Sequence, residues 1–129
     1  MNIERTEVIL TSKLPGRSLP CEGKLMAVRN GSVLYVPVAF WRKEQKSPLH
    51  KHILAAAGLE RIRRNSLENM GGCLLKMFMG TLVLNHLSGD FGPLTEQKVI
   101  LPNIESALRE SLRREKVAVN EIDTSGLDV

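Results

Sequence analysis

Hydrophobic and polar positions divide the chain into short segments of changing period. Residues 6–13 (Thr-Glu-Val-Ile-Leu-Thr-Ser-Lys) are β-prone and run into Leu14-Pro15-Gly16, so a strand ending in a turn is expected. Residues 23–29 alternate around Leu25, Ala27 and Arg29, and Ser32 to Phe40 carries Val33, Leu34, Tyr35, Val36 and Val38. Asn30-Gly31 separates these two runs and predicts a tight hairpin, because both central residues of a type I′ turn need positive φ. Pro37 lacks a ladder donor, which places the second of these strands at an edge or at a bulge.

A helix is announced next. Ser47 is a candidate cap, Pro48 suits the first helical position, and Leu49, Ile53, Ala56 and Leu59 or Glu60 follow at helical spacing. Gly58 weakens it, while Arg61, Arg63 and Arg64 suit the negative end of its dipole. Asn69-Met70-Gly71-Gly72 reads as a flexible joint. The near-continuous apolar run from Cys73 to Leu87 reads as one long strand, or two hinged at Gly80-Thr81, covered on both faces and forming the core. After a loop over 88–93, Lys98 to Leu101 suits a short strand. Asn103 then caps a last helix whose apolar face is Ile104, Ala107, Leu108, Ser111 and Leu112. Residues 117–119 extend as a strand before the chain frays. The expected fold is α+β: a single domain, mainly antiparallel β-sheet with two helices packed on one side.

Composition is compatible with this plan. The 129 residues suit one domain, and 43% of them are hydrophobic. The longest apolar stretch, Leu74 to Leu87, is broken by Lys76, Asn85 and His86, and no membrane span is expected. The start of the sequence has no secretory or myristoylation pattern, so a cytosolic or nuclear setting is expected rather than secretion. Cys21 and Cys73 are expected to be free, buried thiols.

Charge adds the first functional signal. The net charge is +4, and all 18 Lys and Arg fall within residues 1–116, whereas the charged side chains beyond are Glu121, Asp123 and Asp128. The domain plan is therefore a basic α+β domain over 1–116 and an acidic C-terminal tail over 117–129. A basic body suggests a polyanionic partner, nucleic acid or acidic lipid.

Chemistry of other kinds finds little footing. His50 and His52, two apart on a helix, point about 200° from each other and read as exposed polar groups rather than as metal ligands. No Cys-x-x-Cys, His-Glu-x-x-His, Gly-x-Ser-x-Gly or phosphate-cradling glycine loop occurs, so neither catalysis nor a bound cofactor or metal is expected. The candidate RNA- and phospholipid-binding residues are Arg42, Lys43, Lys46, Lys51, Arg61, Arg63, Arg64, Arg113 and Arg114. With five aromatic side chains in all, Trp41 among them as a candidate interfacial anchor, backbone or headgroup contact fits better than base-specific reading.

The layout resembles the small matrix proteins of nonsegmented negative-strand RNA viruses, bornavirus matrix proteins most closely. The resemblance spans roughly residues 1–116. It is carried by the first strand with its following proline, by Leu34-Tyr35-Val36-Pro37-Val38 before the basic Lys46-Ser47-Pro48-Leu49 step, by the apolar strands at 74–87, and by Val99-Ile100-Leu101 leading into the helix at 104–116. It implies a structural protein for virion assembly that forms homo-oligomers, commonly tetramers. Such a protein lies peripheral to the inner membrane face or inside the virion, and binds acidic phospholipid membrane and single-stranded RNA or nucleocapsid. Pro-Pro-x-Tyr and Pro-Thr-Ala-Pro motifs are absent. An RNA-binding accessory protein, such as a suppressor of host defence, and a small enzyme of unrecognised class are the alternatives.

Overall fold

The computed structural model describes residues 2–14, 20–59, 67–86 and 91–127. In chain order the elements are β1 (Arg5–Leu10), β2 (Cys21–Asn30), β3 (Val33–Arg42), α1 (His50–Ala56), β4 (Glu68–Phe78), β5 (Thr81–Asn85), α2 (Gln97–Arg114) and β6 (Glu121–Gly126). They form an α+β domain around one six-stranded sheet in the order β1-β3-β2-β4-β5-β6. The pairs β3/β2, β2/β4 and β4/β5 are antiparallel, while the outer pairs β1/β3 and β5/β6 are parallel. β5, α2 and β6 make a crossover unit, the connection that parallel neighbours require.

The two helices among the described residues cover opposite faces of the sheet, which corrects the expectation that both lie on one side. Along β3, Leu34, Val36, Val38 and Phe40 belong to the larger cluster, together with Ile100, Ile104, Leu108 and Leu112 of α2. The alternate residues Tyr35 and Ala39 pack with Met26, Val28, Ile53 and Leu54, in the cluster under α1. Successive strand side chains point to opposite faces, so these sets lie on the two sides of one sheet. β2 and β3 are apolar in both sets of positions, and each face needs a helix to exclude water.

Several local expectations change for identifiable reasons. The β2–β3 loop is Gly31-Ser32, since Asn30 still pairs with Val33. Positive φ occurs at Gly31 but not Ser32, the pattern of a type II′ rather than a type I′ turn. β3 is interior, and Pro37 accounts for the gap in its ladder with β2 opposite Met26 and Ala27. α1 begins at His50 without a side-chain cap from Ser47, whose hydroxyl instead meets the Pro48 carbonyl at 3.4 Å. Gly58 is its stop: with φ +74° it lets Gly58 N–H donate to Ala55 and Leu59 N–H to Leu54, a Schellman closure.

The supposed joint at 69–72 is β4 itself. Between Leu25↔Cys73 and Val28↔Asn69 the β4 side has one extra residue, a bulge with Gly71 at φ +100°. The bulge turns Met70 onto the larger core, and the backbone of the 92–95 loop docks there through Gly72 N–H to Gly92 and Thr95 N–H to Met70. Lys98 to Leu101 is helix, because Ile100 starts the stripe that Ile104, Leu108 and Leu112 continue every four residues. Asn103 therefore lies inside α2 and donates from Nδ2 to the Val99 carbonyl at 3.3 Å. Residues 121–126, expected to fray within the acidic tail, close the sheet as β6, with Leu127 buried in the core.

Candidate polyanion-binding surface

Strand register brings separate basic segments to one end of the sheet. Cys21, the first residue of β2, pairs with Arg42 on one side and Met77 on the other. The β3–α1 turn, with Arg42, Lys43 and Lys46, therefore leaves the sheet at the same end as the β4–β5 turn. α2 follows β1 in the same direction: Asn103 to Glu110 flank Ile3 to Thr6, and Glu115 flanks Leu10 to Leu14. Its last turn, Arg113-Arg114, thus arrives at that end too. The chain after it is fastened to the β4–β5 turn by Asn120 N–H donating to the Gly80 carbonyl at 2.8 Å.

Arg42, Lys43, Lys46, Lys51, Arg113 and Arg114 are all exposed. Arg61, Arg63 and Arg64 lie outside the described residues. The pattern of charge along the chain did not single out Lys13 or Lys76, which are exposed and join this end by fold alone, while Lys116, also exposed, follows Arg113-Arg114 directly. Glu22, Glu44, Glu115 and Glu121 are nearby, but the ion pairs among the described residues, Arg5–Glu7 at 3.6 Å and Arg29–Glu68 at 3.8 Å, are at the other end. The cations of the Arg42 end are left to solvent or to a ligand.

Lys24 has a different task. It is half-buried, its Nζ donates to the Pro48 carbonyl at 2.9 Å, and it sits 6.0 Å from the centre of the Trp41 ring. It ties the link between β3 and α1 back to the sheet. Trp41 is buried beneath, which removes it as an interfacial anchor. The exposed apolar groups here are Phe78 and Met79, 57% and 84% exposed, at the tip of the β4–β5 hairpin. The apolar run containing them is thus not covered on both faces. The signal that could have exposed them is Met79-Gly80, a two-residue turn with φ of 49° and 82°, the type I′ signature.

His50 is also corrected: it is buried at the start of α1, its ring centre 4.9 Å from that of Phe91, while His52 is exposed. Among the described residues no three potential metal ligands gather. No helix among them is long and apolar enough to cross a membrane. A search of protein-family models, curated proteins and solved structures finds no match to this chain.

The cysteines share one core without being neighbours. Cys21 faces Met77 and Cys73 faces Leu25, four positions along the same strand pair, or roughly 13 Å, too far for a disulfide. Burial raises both thiols, Cys73 up to about 12. A thiol so raised is a poor nucleophile at neutral pH. Because the folded value lies above the unfolded one, its stabilising effect is complete below about pH 8.5 and is lost as pH climbs through the folded value. The unfolding free energy measured from about pH 9 to 11 is expected to fall, by up to about 1.4 kcal/mol per pH unit from this group. Cys73→Ala should remove that part of the slope.

Proposed function

We propose that this chain is a matrix-like structural protein that self-assembles and binds acidic membrane surfaces and RNA through the basic end of its sheet. The observation that carries the reading is the convergence of Arg42 and Lys43 with Arg113 and Arg114, far apart in sequence, exposed, and without an ion-pair partner among the described residues. Phosphate is the natural complement: guanidinium forks and flexible ammonium groups gathered at one end suit a repeated anion. Among the described residues Phe78 is the one exposed aromatic side chain, so the surface lacks the row of stacking rings that base reading uses. For self-association, β1 and β6 are the two edges of the sheet among the described residues, and an edge strand is a ready template for a further strand.

The test is salt dependence. Replacing Arg42, Lys43, Arg113 and Arg114 together by Ala should flatten the plot of log affinity against log salt, by roughly one unit of slope per lost phosphate contact on RNA. Folding should survive, since exposed substitutions typically shift stability by about 0.5 kcal/mol or less each. An unchanged slope places the contacts elsewhere on the chain. Mass measurement in solution tests the other half, and a monomer that ignores acidic vesicles but binds RNA would favour the accessory-protein reading.

A further inference from the structure

The β4–β5 turn departs from what its geometry favours. A type I′ turn needs positive φ at both central positions, which suits Asn-Gly, Asp-Gly or Gly-Gly. This chain has Met79-Gly80, with methionine held at φ 49°. An unbranched apolar side chain is thus kept in the left-handed region and 84% exposed, a local cost that folding does not repay. Beside it Phe78 is 57% exposed. Two large apolar groups stand together at the extremity of a hairpin.

Their surroundings are basic. A cavity of about 400 Å³ at the foot of the hairpin is lined by Glu22, Lys43, Lys76, Met77 and Phe78. Lys76 precedes Phe78 by two positions on the same strand face, and Lys43 comes from the β3–α1 turn. Apolar side chains at the outermost point, with cations set back behind them, reproduce the order of a lipid leaflet met from the water: acyl region beyond, phosphate nearer.

We propose that Phe78 and Met79 form a wedge that enters the interfacial layer of an acidic phospholipid bilayer, while Lys43 and Lys76 meet headgroup phosphates at its base. The inference rests on the reading of this end as polyanion-binding and adds to it a specific occupant and depth. RNA would use the cations but leave the methionine in water. A bilayer uses both, through burial of the apolar area and attraction to anionic headgroups.

The experiment pairs a tip variant with a direct reporter. Phe78→Ser combined with Met79→Asn removes the wedge, and Asn favours the left-handed turn, so the melting temperature should be kept. Co-flotation with phosphatidylcholine vesicles containing phosphatidylserine should fall by about tenfold or more, the effect of withdrawing two large apolar side chains from an apolar phase. RNA affinity and its salt slope should stay as in the unchanged chain. In a Phe78→Trp variant, whose only other indole is the buried Trp41, emission should shift to the blue when acidic vesicles are added. Flotation of the double variant equal to that of the unchanged chain, or emission from the introduced indole that does not move, would overturn the wedge and leave the polyanion reading intact. An unchanged chain that binds RNA but no vesicle would also overturn the wedge alone, whereas binding to neither would overturn both.

Discussion

Gly71→Ala is expected to be among the most damaging single substitutions in the chain. A Cβ at this position would collide with the Pro93 carbonyl oxygen and stand 2.7 Å from Leu94 Cα, both backbone atoms that no rotamer change can move aside. The φ of +100° adds strain for any L side chain. Relief requires either flattening the bulge, which turns Met70 away from the core, or lifting the 92–95 loop, which breaks Gly72 N–H to Gly92 and Thr95 N–H to Met70. Each route forfeits buried contact or backbone hydrogen bonds, and a loss of about 3 kcal/mol or more is expected. Urea unfolding measures it directly. Gly31→Ala, a glycine with positive φ but open space around it, should cost only the conformational part, about 1 kcal/mol.

The second large effect is Ile104→Ala. Ile104 is wholly buried in the middle of the α2 stripe, against the face of the sheet formed by β1, β3 and their neighbours. Truncating a buried isoleucine removes its transfer energy and leaves a cavity, about 2–5 kcal/mol in comparable cores. Against a typical total of about 5–15 kcal/mol, the melting temperature should drop by roughly 10 °C. Val99→Ala on the same helix, where the side chain is 44% exposed, serves as control and should change stability by about 0.5 kcal/mol or less. If the two variants melted alike, α2 would not be seated as described.

These two positions also mark how far the sequence could be read. The face of α2 was legible because Ile104, Ala107, Leu108, Ser111 and Leu112 mix spacings of three and four, which a helix aligns and the two-residue period of a strand does not. Its true start was not, because Val99-Ile100-Leu101 is equally good as a strand, and the choice is made by Ile100 meeting the sheet. Gly71 looked like a joint for a similar reason: two adjacent glycines signal freedom, and only the crossing of the 92–95 loop shows that they provide room. Strands β1 to β3 and the β4–β5 run were visible as β-prone, alternating or continuous apolar stretches, whereas β6 was not, because Glu121 to Gly126 carries little apolar pattern. Their partners were not, since β1 beside β3 and β6 beside β5 are parallel pairings fixed by tertiary contact rather than by any turn.

The candidate site follows the same division. Arg42, Lys43 and Lys46 are clustered in sequence and could be noticed there. Arg113 and Arg114 join them only because α2 runs alongside β1 toward the end of the sheet where β3 finishes. Phe78 and Met79 were hidden inside a run that looked like core, because one residue decides whether an apolar stretch continues or turns back into water. That residue is Gly80, where a Cβ would meet the Asn120 side chain at 2.7 Å.

The molecule has one basic end and one that is not, and backbone hydrogen exchange of the intact protein, with and without phosphatidylserine-containing vesicles, tests that polarity most directly. The predicted result is protection confined to residues 41–46, 77–81 and 113–116, reversed by high salt, with no change at the Gly31-Ser32 turn at the other end of the sheet. Protection at Gly31-Ser32, or none at either end, would contradict it.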